Sequence, residues 1–327
     1  MKSFFGGIHP DYNKITADKE IYTAGLPKKV VIPLSQHIGV PCESIVKPGD
    51  IVKAGQKIAE SKAFVSAPIH ASISGKVLSI DKKPHPVAGE CSAIIIESDG
   101  KLEYDESIKP RENVDKLTQK ELVEIIKQAG IVGMGGASFP THVKLSPPPD
   151  KKIDALILNA AECEPYLTCD HRLMIEEAEK ITSGLKLLMK TLELKKAYIG
   201  IESNKENAIK FMDDKAGEDI EIVPLKTKYP QGAEKMLIHA VTKRKVPSGG
   251  LPMDAGAVVQ NIGTAKAVYD AVYNGKPLIE RCLTLTGAVK EPKNLQVKMG
   301  TLYSDLIQQC GGYKGKPKKL ISGGPMM

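Results

Sequence analysis

A glycine-rich stretch at residues 128–145, QAGIVGMGGASFPTHVKL, has the spacing that most clearly indicates ligand chemistry. Its four glycines, Gly130, Gly133, Gly135 and Gly136, fall within seven residues, which costs backbone entropy and weakens any helix or strand there. Bare backbone is needed for tight turns, for positive φ angles, or for bringing main-chain N–H groups close to an anion. One glycine would suit a helix end, but four followed by FPTHVK predict a ligand-binding loop.

Three further stretches place polar groups where predicted strands end. NAAECEP (159–165) follows an apolar run that reads as a buried strand and carries Asn159, Glu162 and Glu164. KYPQGAEK (228–235) and QNIGTAK (260–266) each join a predicted strand to a predicted helix, and a helix N-terminus suits a phosphate. Since ligands of open α/β sheets lie at the carboxyl ends of the strands, we expect these stretches to meet the glycine-rich loop.

The elements around these loops alternate between strand and helix. TQKELVEIIKQAG begins with a capping box, Thr118 and Glu121, and has an apolar face, so it predicts a helix that leads into the glycines. Strand and helix patterns then alternate, with one long helix expected over RLMIEEAEKITSGLKLLMKTL. Such alternation predicts a mostly parallel sheet covered by helices, a Rossmann-like α/β domain over residues 113–275.

Two other domains are expected on either side of this one. Residues 29–100 show short strand patterns separated by turn signals and resemble the hammerhead barrel of biotinyl and lipoyl carriers, although Lys62 lacks the context of a modified lysine. Residues 280–320 contain LTLTGAVKEPKNLQVKMGTLYSDLIQQCGG, which returns to strand patterns with one short helix and resembles the soluble ligand-binding β-grasp (SLBB) module. Residues 1–28 contain breakers and are expected to be an irregular extension. The predicted fold class is therefore multi-domain α/β: a hammerhead-like barrel, a Rossmann-like domain and a β-grasp domain.

The bulk composition of the 327 residues excludes several classes of function. The net charge of +7 comes without aromatic interleaving or a recognisable nucleic-acid module, so no nucleic-acid partner is expected. No run reaches the roughly 20 apolar residues of a membrane span, and we expect no direct transmembrane segment. Six widely spaced cysteines indicate reduced thiols. Cys163, Cys169 and His171 lack a fourth ligand at a suitable spacing, so no metal site is predicted.

Long motifs carry a family resemblance along the whole chain. GMGGASFPTHVKL and ECEPYL resemble the flavin-binding region of the NADH-oxidising flavoprotein subunit of respiratory complex I. Together with GGIHP, PLSQHIG, FVSAPIHASISGKV and GGPMM, they resemble more closely the C subunits of the Rnf complex. The resemblance implies a peripheral subunit on the cytoplasmic side of the cell membrane. This subunit would bind FMN, exchange electrons with NAD(H), and assemble with the other Rnf subunits into an ion-translocating ferredoxin:NAD oxidoreductase.

The resemblance also implies which residues contact the cofactor. The residues implied for FMN are Gly133, Gly135, Gly136, Ala137, Lys144, Asn159, Glu162, Tyr229, Gly232, Glu234, Asn261 and Thr264. Those implied for NADH are Phe139, Glu164 and Lys245, with Lys243 or Arg244 as alternatives to Lys245. Because hydride transfer to a flavin requires stacking, orientation and nearby charge from the protein, no acid–base catalyst is assigned.

The chain departs from the family pattern in two respects. Ala161 and Ala233 stand where the family has acidic residues. Family members also carry two four-iron clusters on Cys-x-x-Cys runs after the β-grasp domain, whereas this chain has no such run. Since each cluster takes four cysteines, six isolated ones are too few. We therefore expect a truncated sequence whose 4Fe–4S clusters belong to a missing C-terminal segment.

Two other functions remain open from the sequence. One is that of the A subunit of the sodium-translocating NADH:quinone reductase, which shares the architecture but not the flavin loops. The other is a non-catalytic docking scaffold with a vestigial flavin pocket, which Ala161 and Ala233 would suit. An intact glycine-rich loop favours the flavoprotein hypothesis over both.

Overall fold

A four-stranded, all-parallel sheet forms the centre of the computed structural model, which describes residues 1–327. Its strands, in sheet order, are β11 (Ile220–Leu225), β10 (Ala197–Glu202), β9 (Ala155–Ala160) and β12 (Ala257–Asn261). Side chains of β9 alternate between two buried clusters: Leu156 and Leu158 belong to one, and Ala155 and Ile157 to the other. The sheet is therefore buried on both faces, as parallel sheets require.

Helices cover both faces of this sheet, as the sequence predicted. The helices are α1 (Gln119–Gln128), α2 (Thr141–Lys144), α3 (Cys169–Glu176), α4 (Ala178–Thr191), α5 (Glu206–Ala216), α6 (Glu234–Thr242) and α7 (Ile262–Asn274). Apolar residues of α1, α4, α5 and α7 join the larger cluster, and those of α6 join the other. The predicted capping box is present, since Thr118 and Glu121 exchange side-chain-to-backbone hydrogen bonds. No helix combines the length and apolar character that crossing a bilayer requires.

The prediction of a single helix over residues 172–192 was wrong. The structure has two helices there, α3 and α4, which are separated at Glu177 where the backbone leaves the helical region (φ −130°, ψ 24°). α3 packs against α5, the short strand Ile21–Thr23 and the C-terminal strands, whereas α4 packs mainly against α7. Because each helix has its own packing partner, the chain changes direction at a residue that hydrophobic periodicity does not mark.

The first β domain consists of two small sheets around one core. The strands are β2 (Lys29–Pro33), β3 (Glu43–Ser44), β4 (Ile51–Val52), β5 (Lys57–Glu60), β6 (Ile69–His70), β7 (Gly75–His85) and β8 (Gly89–Ser98), paired in the orders β2-β8-β7-β4 and β3-β5-β6. Alternate residues such as Val30, Ile32, Ile94 and Ile96 are fully buried between them. This arrangement matches the predicted barrel.

The C-terminal sheet includes a strand from the other end of the chain. β13 (Glu280–Leu285) and β14 (Lys293–Lys298) are antiparallel and pack with α8 (Tyr303–Gln309). β1 (Ile21–Thr23) adds to β14 in parallel. The expectation that residues 1–28 are irregular was therefore wrong for this strand. This strand has only three residues, of which one is partly buried, so its sequence shows no alternation of apolar and polar residues that would predict a strand. Its partner strand lies far along the chain.

Candidate functional site

Several loops meet at the carboxyl ends of β9 and β12. They are the glycine loop (133–139), the acidic loop (161–167) that follows β9, the turn at 228–233 that precedes α6, and the start of α7. The convergence was expected from the sequence because parallel strands present all their carboxyl ends at one edge. Side-chain hydrogen bonds and close backbone contacts join these loops to one another.

The glycine loop is closed at its base and open at its tip. The N–H of Gly133 donates to the carbonyl of Phe139 (2.9 Å), and Val132 pairs with Pro140 in an antiparallel bridge. A Cβ atom added at Gly135 would lie 2.9 Å from Nδ2 of Asn261, whereas one added at Gly136 would have nothing within 4 Å. Bare backbone at Gly135 thus allows close approach to α7, and the tip at Gly136 is free for a ligand.

Gly130 serves a different purpose from the other glycines. It follows α1 with φ +67°, and a Cβ atom there would overlap the carbonyl oxygen of Pro68 in the barrel. Gly130 therefore ends α1 and also allows the barrel to pack closely against the α/β domain. The barrel also contacts α2, where the ring of Phe64 meets that of His142 edge-on.

Asn261 and Thr264 at the start of α7 hold the glycine loop and the neighbouring helix. Asn261 caps α7 by accepting from the N–H of Gly263 (2.7 Å), and its Nδ2 donates to Asp170 (2.7 Å). The hydroxyl of Thr264 accepts from the N–H of Met134 (3.1 Å). The structure therefore brings both predicted residues to the glycine loop, at a helix N-terminus that favours negative charge.

Asn159 and Gly232 join the end of β9 to the turn before α6. Asn159 donates from Nδ2 to the carbonyl of Gly232 (2.7 Å), and the N–H of Gly232 donates to the Cys163 sulfur (3.2 Å). A Cβ atom at Gly232 would lie 3.2 Å from that sulfur and 3.4 Å from the Cβ of Ala161. A larger residue at 232 would therefore disturb both loops.

Lys144 and Glu234 form an ion pair at the edge of the same region. Nζ of Lys144 lies 2.8 Å from a carboxylate oxygen of Glu234 and donates to the carbonyl of Val259 (3.0 Å). The lysine thereby links α2, α6 and β12, and it places one positive charge beside the site.

The carboxylate of Glu162 caps α3. It accepts from the N–H groups of Asp170 (2.7 Å) and His171 (3.2 Å), while the residue itself has a left-handed φ of +48°.

Lys14 binds the backbone of the acidic loop. Its Nζ donates to the carbonyls of Glu162 (2.8 Å), Glu164 (2.9 Å) and Leu167 (2.6 Å). Burial lowers the pKa of Lys14, and the charge of Glu162 opposes that effect.

The final residues of the chain lie against Glu164 and Tyr229. The buried carboxylate of Glu164 accepts from the N–H of Met326 (2.7 Å), and the hydroxyl of Tyr229 donates to the Met326 carbonyl (3.1 Å). A Cβ atom at Gly324 would overlap the side chain of Glu164. Two residues predicted for FMN and NADH therefore share a wall formed by the GGPMM motif.

Lys245 is the one predicted residue that the structure separates from the others. It is exposed and follows Arg244, which pairs with both carboxylate oxygens of Asp154, the residue before β9 begins. The amino end of β9 lies at the opposite edge of the sheet from the acidic loop. Lys243 and Arg244, the alternatives to Lys245, share this location. Half-buried Phe139, by contrast, lies in the glycine loop, as do Gly136 and Ala137.

Asp170 has the most unusual electrostatic environment in the region. Burial, and then the charge of Glu162, raises its pKa to about 7, against an opposing hydrogen bond from Asn261. Burial also raises the pKa of the Cys169 thiol. Ligand atoms of Glu162, Cys169 and Asp170 lie within 4.8 Å of one another. Glu162 is used as a helix cap and Asp170 is bound to Asn261, so we interpret the cluster as part of the loop framework.

Sequence reasoning did not identify Lys14, Lys205 or Asp170. Lys205 is fully buried, pairs with Glu202 and donates to the carbonyl of Ala161 (2.7 Å). Lys14 and Lys205 lie outside the motifs, and nothing in their local sequence indicates that they reach the acidic loop. Asp170 lies in the stretch CDHRLM, and its place at the start of a helix was the available signal.

Comparison with known families gives three consecutive matches. Residues 2–101 match the RnfC barrel sandwich hybrid domain, residues 126–270 the Nuo51 FMN-binding domain, and residues 283–327 the SLBB domain. The three matches confirm the predicted fold class.

Similar proteins cover almost the whole chain. The chain is 57% identical over 330 residues to the C subunit of the proton-translocating ferredoxin:NAD(+) oxidoreductase complex of Clostridium ljungdahlii, covering 100% of this chain and 72% of that protein. It is 50% identical over 329 residues to the Na(+)-translocating counterpart of Acetobacterium woodii, covering 99% and 74%.

A solved structure of lower similarity shares the fold. It is an NAD+-reducing [NiFe]-hydrogenase in the H2-reduced state, with a TM-score of 0.55 and 21% identity over 63% of this chain and 42% of that one.

Proposed function

The chain belongs to the family of C subunits of ion-translocating ferredoxin:NAD(+) oxidoreductase complexes (RnfC), and on that premise we propose that it binds FMN and exchanges electrons with NAD(H). The family match at residues 126–270 is to an FMN-binding domain and contains every loop of the candidate site. Membership also supports assembly with the other subunits of such a complex, on the cytoplasmic side of the membrane.

The observation that carries the proposal is the cradle between the glycine loop and α7. Backbone at Gly135 approaches Asn261 so closely that a Cβ atom would lie 2.9 Å from its Nδ2, while the neighbouring Gly136 opens to free space. Glycine backbone beside a helix N-terminus suits a phosphate, and the open space at Gly136 leaves room for a ligand. The residues present therefore fit FMN.

The start of α7 is the proposed phosphate side of the cradle. α7 has 13 residues and is capped by Asn261, so its N-terminus carries partial positive charge. Thr264 is fully buried, and its hydroxyl accepts a hydrogen bond from the N–H of Met134. Lys144 lies beside the cradle and is paired with Glu234 at 2.8 Å.

The acidic loop and the turn before α6 form the proposed ring side. Asn159, Gly232 and Cys163 are joined by hydrogen bonds of 2.7 and 3.2 Å, which fix the end of β9 against the turn. FMN, when bound, supplies the redox chemistry, since flavins exchange hydride with nicotinamides. The chain's own residues bind the flavin, orient it and keep its surroundings rigid.

Glu164 and Phe139 are the proposed NADH side, and Tyr229, which is proposed for FMN, shares the contact with Met326. The carboxylate of Glu164 is buried and already accepts an N–H from Met326, which shows that it can bind an amide donor. A nicotinamide carries a carboxamide of the same kind. Lys245 is not assigned to NADH, because its neighbour Arg244 is bound at the opposite edge of the sheet.

Flavin retention tests the proposal. The purified chain is incubated with FMN, separated from excess flavin and then mixed anaerobically with NADH. Retained flavin absorbance that bleaches with NADH is the expected result. A colourless protein at saturating FMN would overturn the proposal and favour the docking scaffold. Bound flavin that NADH does not bleach would contradict only the proposed electron exchange with NADH.

A further inference from the structure

The acidic loop is wrapped around two ammonium groups, those of half-buried Lys14 and buried Lys205. Nζ of Lys14 donates to the carbonyls of Glu162, Glu164 and Leu167 at 2.6–2.9 Å. Nζ of Lys205 donates to the carbonyl of Ala161 (2.7 Å). Four carbonyls of one short loop are thus directed at two side chains, of which Lys14 binds three.

This arrangement provides hydrogen bonds that no helix or strand supplies. The loop has left-handed backbone angles at Glu162 (φ +48°) and Tyr166 (φ +71°), so it cannot pair regularly. Buried carbonyls without donors are costly. A lysine ammonium has three donors and no acceptor, and Lys14 uses all three on this loop.

The same geometry determines where two amides point. In a trans peptide the C=O and N–H groups point in opposite directions. The carbonyls of Ala161 and Glu162 face the two lysines, so the N–H groups of Glu162 and Cys163 face away from them. Neither N–H has a backbone acceptor elsewhere in the chain. The loop therefore directs these two N–H groups to the face away from the lysines.

Lys14 is itself held between two fixed neighbours. The carbonyl of Tyr12 accepts from the N–H of Tyr166 (2.8 Å), and the hydroxyl of Thr16 lies 2.5 Å from that of Thr168. Thr168 in turn donates to Asn294 of β14 (2.8 Å). The segment that carries Lys14 is thus attached to the C-terminal end of the acidic loop and to the C-terminal sheet.

We propose that Lys14 is a positioning residue of the flavin site, which acts by fixing the backbone of the acidic loop so that Glu162 and Glu164 hold their binding positions. Its effect on FMN rests on the proposed function, whereas its effect on the loop does not. An arginine would not replace it, because a planar guanidinium cannot direct three donors into one convergent set of carbonyls.

The test compares the full chain with Lys14→Met, which keeps the length of the side chain and removes the donors. Lys19→Met is the matched control, because Lys19 lies in the same segment and its Nζ donates to one carbonyl, that of Pro292 (2.9 Å). Hydrogen exchange of residues 158–168 is measured in flavin-free protein, and the FMN dissociation constant is measured separately.

Lys14→Met is expected to raise exchange in the loop and the FMN dissociation constant by about tenfold or more, a change of about 1.4 kcal/mol. Lys19→Met is expected to change neither. Wild-type exchange and affinity in Lys14→Met would overturn the proposal. If the wild-type chain retains no FMN, the proposed function fails, and the exchange data still decide the role of Lys14.

Chemical rescue distinguishes the loss of the ammonium group from a general loss of stability. It also provides a second test if Lys14→Met does not fold. Lys14→Ala lacks the atoms that propylammonium would restore. Loop protection that returns with propylammonium, but not with propanol of similar size, would support three convergent hydrogen bonds to an ammonium. Equal effects of the two solutes, or none from either, would overturn the proposal. Lys14→Arg is expected not to restore protection.

Discussion

Gly135 lies so close to Asn261 that a Cβ atom on the glycine would be 2.9 Å from Nδ2 of the asparagine. The same Nδ2 donates to Asp170, and the side-chain Oδ1 of Asn261 accepts from the N–H of Gly263 and so caps α7. One contact between glycine backbone and an amide side chain therefore joins the glycine loop to two helices.

Substitution at Gly135 should destabilise the chain without any ligand present. Gly135→Ala forces Asn261 to move, and overpacking of this kind costs about 1–3 kcal/mol. Gly136→Ala is the matched control, since nothing lies within 4 Å of its added Cβ. Thermal unfolding of the flavin-free chains should show a lower midpoint for Gly135→Ala only. Equal midpoints for the two variants would contradict the proposed contact.

Asp170 should make stability depend on pH. Its pKa is raised from 3.8 to about 7, mainly by burial, so the folded state favours the protonated carboxyl. The stability it contributes is present below about pH 4 and is lost as pH rises through about 7, at up to about 1.4 kcal/mol for each pH unit. Asp170→Asn should remove this slope in denaturant unfolding measured from pH 4 to 8. A slope that persists in the variant would assign it to other groups.

Glu162→Gln should act on both the helix cap and Asp170. The carboxylate of Glu162 accepts two N–H groups at the start of α3, and weakening such a cap costs about 1 kcal/mol. Because the charge of Glu162 also raises the pKa of Asp170, the midpoint of the pH profile should move to lower pH. The measurement is the same denaturant series. An unchanged midpoint would show that burial alone accounts for the shift.

Gly324→Ala should detach the end of the chain from the site. Its Cβ would overlap the side chain of buried Glu164, so the segment must move and the Met326 amide loses its acceptor. Hydrogen exchange of residues 323–327 should rise about tenfold or more. Ser322→Ala, which removes only a contact with Tyr303, is the control. Protection equal to wild type in Gly324→Ala would contradict this packing of the chain end on Glu164.

Local patterns and the family resemblance together predicted the fold class. Alternation of strand and helix predicts the parallel sheet, and a parallel sheet brings the loops after its strands to one edge. Gly135, Asn159, Gly232, Asn261 and Thr264 lie there for that reason. Their residue types indicate bare backbone and helix caps, which are local properties.

Only the tertiary structure determined the contacts that join distant segments. β1 pairs with β14, Lys14 reaches the acidic loop, and the GGPMM segment reaches Glu164, although no local pattern marks any of these partners. Lys245 lies away from the site because α6 runs back along the sheet. Hydrophobic periodicity reports which face of an element is buried, whereas the partners of a buried lysine depend on how separate elements pack.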